Sequence, residues 1–442
     1  GYDATNNVNG KYLIMKNLRW MMAMAVAGMF LFSACSNDED PKEETKLSEL
    51  TTEEHKVNLE NEGVAFIQNM EAIASLEVYD VMEQFMQLMD QQGGEAQPVY
   101  APLKATLDQI SELRNQPTTT INLKALNAEG DFAISDGFAE QAGIYTWEAA
   151  TSTWTKEPAT DQITYHFLLE SEMTATISVN NFTYQAATNM SMEGFTVELL
   201  NSLNLSIKLD ETELCSFAFT GEYHDNDTPK FLQEVFKLEG FTLTATFDLK
   251  DKKNLKTSGE FKYDETIILA NGFEVQGNVD YDAIKTEMDN SANADGFPMN
   301  QEIVESTNAY FQIGNVKADA LFNVSAMINA MNNVPEAEQT EAKMVELLNE
   351  NAKIYIRYAD SKEVIAFGEF YLKPQTETYW NGQEYVEETY DEMSMKMTFS
   401  DNTAFDESVF FDSGFSKMIQ EINAMILAMN TNYGMELEGI EE

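Results

Sequence analysis

Cysteine is almost absent from this chain: Cys35 and Cys215 are the only two among 442 residues. A disulfide framework of the kind that staples small secreted domains is therefore excluded, and the fold must be held by its core. Cys215 sits in the apolar, strand-like run Leu214, Cys215, Ser216, Phe217, where a cysteine behaves as a small buried side chain. Histidine is equally scarce. His55, His166 and His224 fall in a helix, a strand and a turn, and neither a Gly-x-Ser-x-Gly elbow nor a His-Glu-x-x-His pair is present. The expectation is a protein that is not an enzyme, with no cofactor and no metal. Positive charge is the third shortage: 27 Lys and Arg stand against 75 Asp and Glu, a net charge of −48. Nucleic acid is excluded as a partner, because phosphate binding needs cationic side chains to displace counterions. Long apolar runs are missing too, with one exception near the start.

That exception is Trp20 to Ala34, an apolar stretch behind Lys16 and Arg19 that ends in small side chains. It has the anatomy of a secretory leader, and it is shorter than the roughly 20 residues a spanning helix needs. Phe32, Ser33, Ala34 and Cys35 resemble the lipobox of bacterial lipoproteins, with Phe32 in place of the usual Leu. Ser36, Asn37, Asp38, Glu39 and Asp40 resemble the acidic surface-export signal that follows the lipidated cysteine in lipoproteins of the Bacteroidota. The resemblance implies diacylglycerol on the Cys35 sulfur and cleavage before it, and a cell-surface address on the outer membrane. It implies no activity. Two or more acyl chains hold a protein stably on a membrane where one barely does. Residues 1–14 carry no leader character and are set aside with the leader as residues 1–34, followed by a lipidated tether over 35–46. Cleavage there would remove three basic residues and one acidic one, leaving a net charge of about −50.

The remaining length suggests two units, 47–285 and 286–442. Thr51 and Glu54 form a capping box that opens a helical stretch reaching about Met89, and Leu103, Leu107, Ile110 and Leu113 mark a second helix. From Ile121 to Tyr281 apolar residues alternate, as in Ile163, Tyr165, Phe167 or Phe241, Leu243, Ala245, Phe247. Short polar connections such as Asp210–Glu211 and Lys250–Lys253 make neighbouring strands hairpin partners. Past a polar join at 282–300 the pattern mixes strand (309–313), helix (324–332 and 336–350) and strand (353–359). An Asn381–Gly382 turn and a last helix with Ser413 as cap and Phe415, Met418, Ile419, Ile422, Met425, Ile426 and Met429 as its stripe complete the chain. The predicted class is α+β: N-terminal helices, a large antiparallel β-sheet, then a second smaller α+β unit ending in a helix. Residues 210–217 and 360–367 echo one another at a constant offset, which is compatible either with duplication of a module or with repeated hairpin chemistry. The leader, Gly143–Lys156 and Thr398–Phe415 together look like the outer-membrane lipoproteins of the Bacteroidota.

Candidate sites follow. A four-residue turn at 149–152 would set Trp147 opposite Trp154 with Tyr145 and Lys156 alongside, and Trp380 lies between Tyr379 and Tyr385. Exposed aromatics can stack on sugar rings, and cross-strand aromatic pairs also stabilise hairpins by about 0.2–1 kcal/mol. Methionine is frequent, 24 in all, with several (Met70, Met82, Met86, Met89, Met418, Met425, Met429) on helix stripes that could line a lipid groove or simply pack a core. Ser291, Asn293, Asp295, Gly296 and Glu302 occupy calcium-loop positions imperfectly, and His224–Asp227 is an acidic turn that could hold a cation. The expected function is binding or structural, with a glycan or protein ligand, at the cell surface. The alternative is a periplasm-facing carrier of a lipid or other hydrophobic ligand.

Overall fold

The computed structural model describes residues 46–90, 99–115, 134–192, 195–280, 282–283, 304–380 and 384–406. The leader, Cys35, the calcium-like loop, the Asn381–Gly382 turn and the expected C-terminal helix lie outside them. Strands come first in architecture if not in sequence. They are β1 Gly143–Glu148, β2 Thr153–Glu157, β3 Gln162–Leu168, β4 Thr174–Met192, β5 Phe195–Leu209, β6 Thr212–Tyr223, β7 Pro229–Leu238 and β8 Phe241–Asp248. The series continues with β9 Asn254–Tyr263, β10 Thr266–Gln276, β11 Ser306–Ile313, β12 Val316–Phe322, β13 Ala352–Tyr358, β14 Val364–Trp380, β15 Tyr385–Phe399 and β16 Ala404–Asp406. From β3 to β16 each strand pairs antiparallel with the next, and β1, between β3 and the edge strand β2, runs parallel to β3.

This corrects the α+β expectation. Among the described residues strand accounts for 53% against 25% helix, so this is a β-rich fold built on one sheet. The reason is visible at the expected division. β10 pairs β11 through eight consecutive residues, Gln276↔Ser306 to Leu269↔Ile313, and the ladder crosses residues 277–305 without a break. The short apolar runs after residue 300 therefore extend the existing sheet, because an open edge with unpaired N–H and C=O groups is the cheapest partner available to the next strand.

Six helices accompany the sheet among the described residues: α1 Thr52–Ala72, α2 Val78–Asp90, α3 Ala101–Asn115, α4 Ile134–Gln141, α5 Val324–Asn332 and α6 Glu341–Asn351. The capping box forms as expected, with the Thr51 amide donating to Glu54 Oε2 at 2.8 Å and the Glu54 amide to Thr51 Oγ1 at 3.3 Å. Period-two alternation decides which face the helices take. Ile163, Tyr165, Ile177, Val179, Leu205, Ile207, Phe217, Phe236 and Phe241 share one side of the sheet by register and are all buried. The other side carries Ser178, Ser206, Thr176 and His166, joined in Ser178–Ser206 and Thr176–His166 hydrogen bonds of 2.8 and 3.0 Å.

On the apolar face the helices form two lines at opposite ends of the strands. Along one end run α1 and α2. His55 of α1 meets Tyr358 at the end of β13, and Glu62 accepts from the Asn315 amide at 3.2 Å in the β11–β12 turn. Glu239 of the β7–β8 turn caps α2 by accepting from the Glu77 and Val78 amides at 3.0 and 2.9 Å, and α2 buries Val78, Val81, Met82, Phe85, Leu88 and Met89. Gly314 turns the chain at φ 53° beneath Glu62, where a β-carbon would lie 1.8 Å from the Glu62 carboxylate oxygen. At the opposite end, Val324 of α5 packs with Phe273 and Val275, while Met344 and Leu348 of α6 pack with Met327, Phe370 and Met393. Methionine fills irregular contact there as ordinary core.

His55 is fully buried, stacks on Phe399 at 6.1 Å and shares a 2.8 Å hydrogen bond from Nδ1 to the Tyr358 hydroxyl. Burial holds its pKa below the usual 6.5. A depressed histidine binds fewer protons folded than unfolded, so its contribution is present above pH 6.5 and is lost as pH falls below that value. Urea midpoints of the parent should therefore drop more between pH 7.5 and 5.5 than those of His55→Leu, and equal drops would show that His55 does not titrate with folding.

Candidate functional site

The β1–β2 hairpin adopts the expected register: a four-residue turn, Trp147↔Trp154 and Tyr145↔Lys156. The rings do not form an exposed platform. Trp154 is 8% exposed and Tyr145 7%, both in the main core. Phe85 of α2 lies 6.2 Å from Trp154 and 5.1 Å from Tyr165, and Tyr145 stacks on Tyr165 at 4.9 Å. Trp147 is half-buried, edge-on to Trp154 at 5.3 Å. The hairpin's aromatic face is the one α2 covers, and alternation within the hairpin does not say how far along that face a helix reaches. Trp380 pairs with Tyr385 through the backbone, and Tyr379 and Tyr385 are exposed, the latter 74%.

The acidic turn 224–227 is a structural clasp. Asp227 is 2% exposed and its carboxylate accepts from the Thr188 amide and hydroxyl and from the Asn189 amide of β4. With its oxygens already facing donors, this carboxylate is poorly placed for a cation. Among the described residues no group of three or more His, Cys, Asp or Glu could hold a metal ion. His166 and His224 bond Thr176 and the Leu249 carbonyl at 3.0 and 3.1 Å, far apart in the sheet order. Burial pushes the Cys215 thiol pKa upward, which makes it inert.

The concave site lies elsewhere, where β4 breaks its ladder. The pairing with β5 slips between Asn180 and Thr183, and Asn181 takes φ 53°. Such a bulge re-aims side chains. Here it directs Phe182 against Phe138 of α4, the rings stacked 4.7 Å apart, and leaves Tyr184 at 5.6 Å from Phe182 and 45% exposed. The Ser135 amide and hydroxyl donate to Glu198 at 2.9 and 2.6 Å, fixing the start of α4 above the strand. Between them opens a hollow of about 680 Å³, lined by Phe182 and Tyr184 together with Asp161, Gln162, Asn180 and Asn181. Aromatic faces beside amide and carboxylate groups can hold a ligand with both apolar faces and hydroxyls. Only the Asn180–Asn181 pair inside an otherwise alternating strand hinted at it in the sequence, since Asn tolerates positive φ.

Comparison with protein-family models, curated proteins and solved structures returned no match. Among the described residues no helix is long and apolar enough to cross a membrane.

Trp154→Ala should cost about 3–5 kcal/mol by leaving a core cavity. Trp154→Phe should cost far less, because the buried indole N–H has no hydrogen-bond partner. Chemical denaturation checks both, and a mild Trp154→Ala would contradict a core role.

Proposed function

We propose that this chain is a lipid-anchored protein of the bacterial outer membrane, facing the cell surface, that binds a glycan or glycan-bearing partner. Binding, with no catalysis, is its role. The anchor reading is supported by Lys16, Arg19, the apolar stretch ending at Ala34, Cys35 and the acidic residues 36–40. The binding reading is carried by the hollow at the β4 bulge, where Phe182 and Tyr184 stand beside Asn180, Asn181 and Gln162. An exposed tyrosine face next to fixed amides matches a sugar ring's alternation of C–H faces and equatorial hydroxyls. The acidic surface of a chain with net charge −48 disfavours anionic polymers and anionic lipid headgroups as ligands, so a neutral glycan fits best.

The rival, a periplasm-facing carrier of hydrophobic ligands, has one observation in its favour: half-exposed apolar residues on the helix-bearing face of β8 to β13.

Metabolic labelling with palmitate should mark the parent and not Cys35→Ala, and protease shaving of intact cells should remove the parent. Survival of the chain under shaving would favour the inward-facing carrier. On a neutral glycan array, Tyr184→Ala should lose at least ten-fold in binding with an unchanged melting temperature, whereas Trp147→Ala should bind as the parent does. A glycan bound equally by Tyr184→Ala would remove the hollow from consideration.

A further inference from the structure

The helix-bearing face of the sheet is sealed over its first strands, where Ile163, Ile177, Ile207, Phe217 and Phe236 are 0–3% exposed. Further along the same face the cover thins. Phe311 of β11, Phe322 of β12 and Ile354 and Ile356 of β13 lie on that side by register, and all four are half-buried between the α1–α2 line and the α5–α6 line. Ala318 among them is exposed, and Met395 of β15, on the same face, is 38% exposed.

The chain itself leaves the sheet beside this band. β16 is the last strand, and its final residue Asp406 pairs with Lys396, the neighbour of Met395, with the backbone heading toward Met395. Residues 407–442 lie outside the described ones, and their sequence carries the apolar stripe Phe415, Met418, Ile419, Ile422, Met425, Ile426 and Met429 at helical spacing. Between Ser413 and Asn430 the only charges are Lys417 and Glu421, in a chain of net charge −48. Such a stripe needs an apolar surface to cover it.

Length and charge both fit the open band. A helix of the stripe's span is about 25 Å long, and the five strand spacings from β16 back to β11 come to about 24 Å. The six residues before Ser413 reach about 20 Å when extended, enough to turn from the sheet edge onto the face. A second copy of so acidic a chain would meet repulsion there, whereas this nearly uncharged segment does not. Attachment to β16 also gives it a millimolar effective concentration at the band.

We propose that Phe415–Met429 packs as a helix across β11 to β15, between the two lines of helices, with its apolar stripe on Phe311, Ile354, Ile356 and Met395. Both apolar surfaces leave water on contact, and the flexible methionines fit an uneven floor. The surface that favours a hydrophobic carrier is then used within the chain. This inference rests neither on Cys35 nor on the glycan hollow.

Photo-cross-linking of the full chain carrying Cys35→Ser tests it, with p-benzoylphenylalanine in place of Phe311 or, separately, of Ile356. Mass spectrometry should map the cross-links to residues 415–429 of the same chain, with a yield independent of protein concentration. Ile419→Asp with Ile426→Asp should cut that yield at least five-fold and raise anilinonaphthalene sulfonate fluorescence, while Gln420→Glu, on the opposite side of the helix, should change neither. Cross-links confined to α1, α5 or α6, cross-links to a bound lipid, or cross-links between chains with a yield rising with concentration would each overturn the proposal. The map from the unsubstituted stripe decides even where the aspartate pair fails to fold. A failed glycan array or an absent palmitate label leaves these outcomes unaffected.

Discussion

The antiparallel ladder, extended one hairpin at a time with its apolar residues kept to one face, is the constraint on which the rest of this structure depends. Each strand from β4 onward docks on its predecessor, so the register of one determines the facing of the next. Turns of two residues join β5 to β6 (Asp210–Glu211, φ 50° at Asp210) and β7 to β8 (Glu239–Gly240, φ 40° and 94°); the second keeps its register throughout, and the first is followed by a shift at Ile207/Lys208. The helices have no choice of side. Whatever apolar stripe they carry can be buried only against the face on which Ile163, Val179, Leu205, Phe217 and Phe236 line up.

One departure from the regular ladder coincides with a place where chemistry is available. At Asn180–Thr183 the slip opens the hollow between α4 and β4. At Ile267–Leu269 a second slip occurs in the pairing of β10 with β9, one turn away from Gly314 and Glu62. Asp227, by contrast, accepts from Thr188 and Asn189, and that is why the acidic turn reads as a clasp.

Much of the local structure was legible from periodicity alone. The capping box at Thr51, the amphipathic stripe of α2, the strand over Phe241–Phe247 and the Trp147–Trp154 register all stand where the residues indicate. The α+β class was misread because helices stand between β12 and β13 and make the strands after residue 300 look like a fresh start. Which edge a strand joins depends on unpaired backbone groups far away in sequence, and no window of residues contains that information. The echo between 210–217 and 360–367 falls in turns of different form, two residues between β5 and β6 but longer between β13 and β14, with positive φ at Asp210 in one and Lys362 in the other.

Sequence by itself determined the charge balance and the local elements: a net charge of −48, only two cysteines, and alternation typical of strands. It also determined that Trp147 and Trp154 would meet, since hairpin register follows from turn length. Tertiary structure alone decided that α2 would cover Trp154 and Tyr145, and that Phe182 and Tyr184 would line the hollow in their place. The physical reason is that alternation assigns a residue to one of two faces, whereas exposure on that face depends on which distant helix packs there and where it stops.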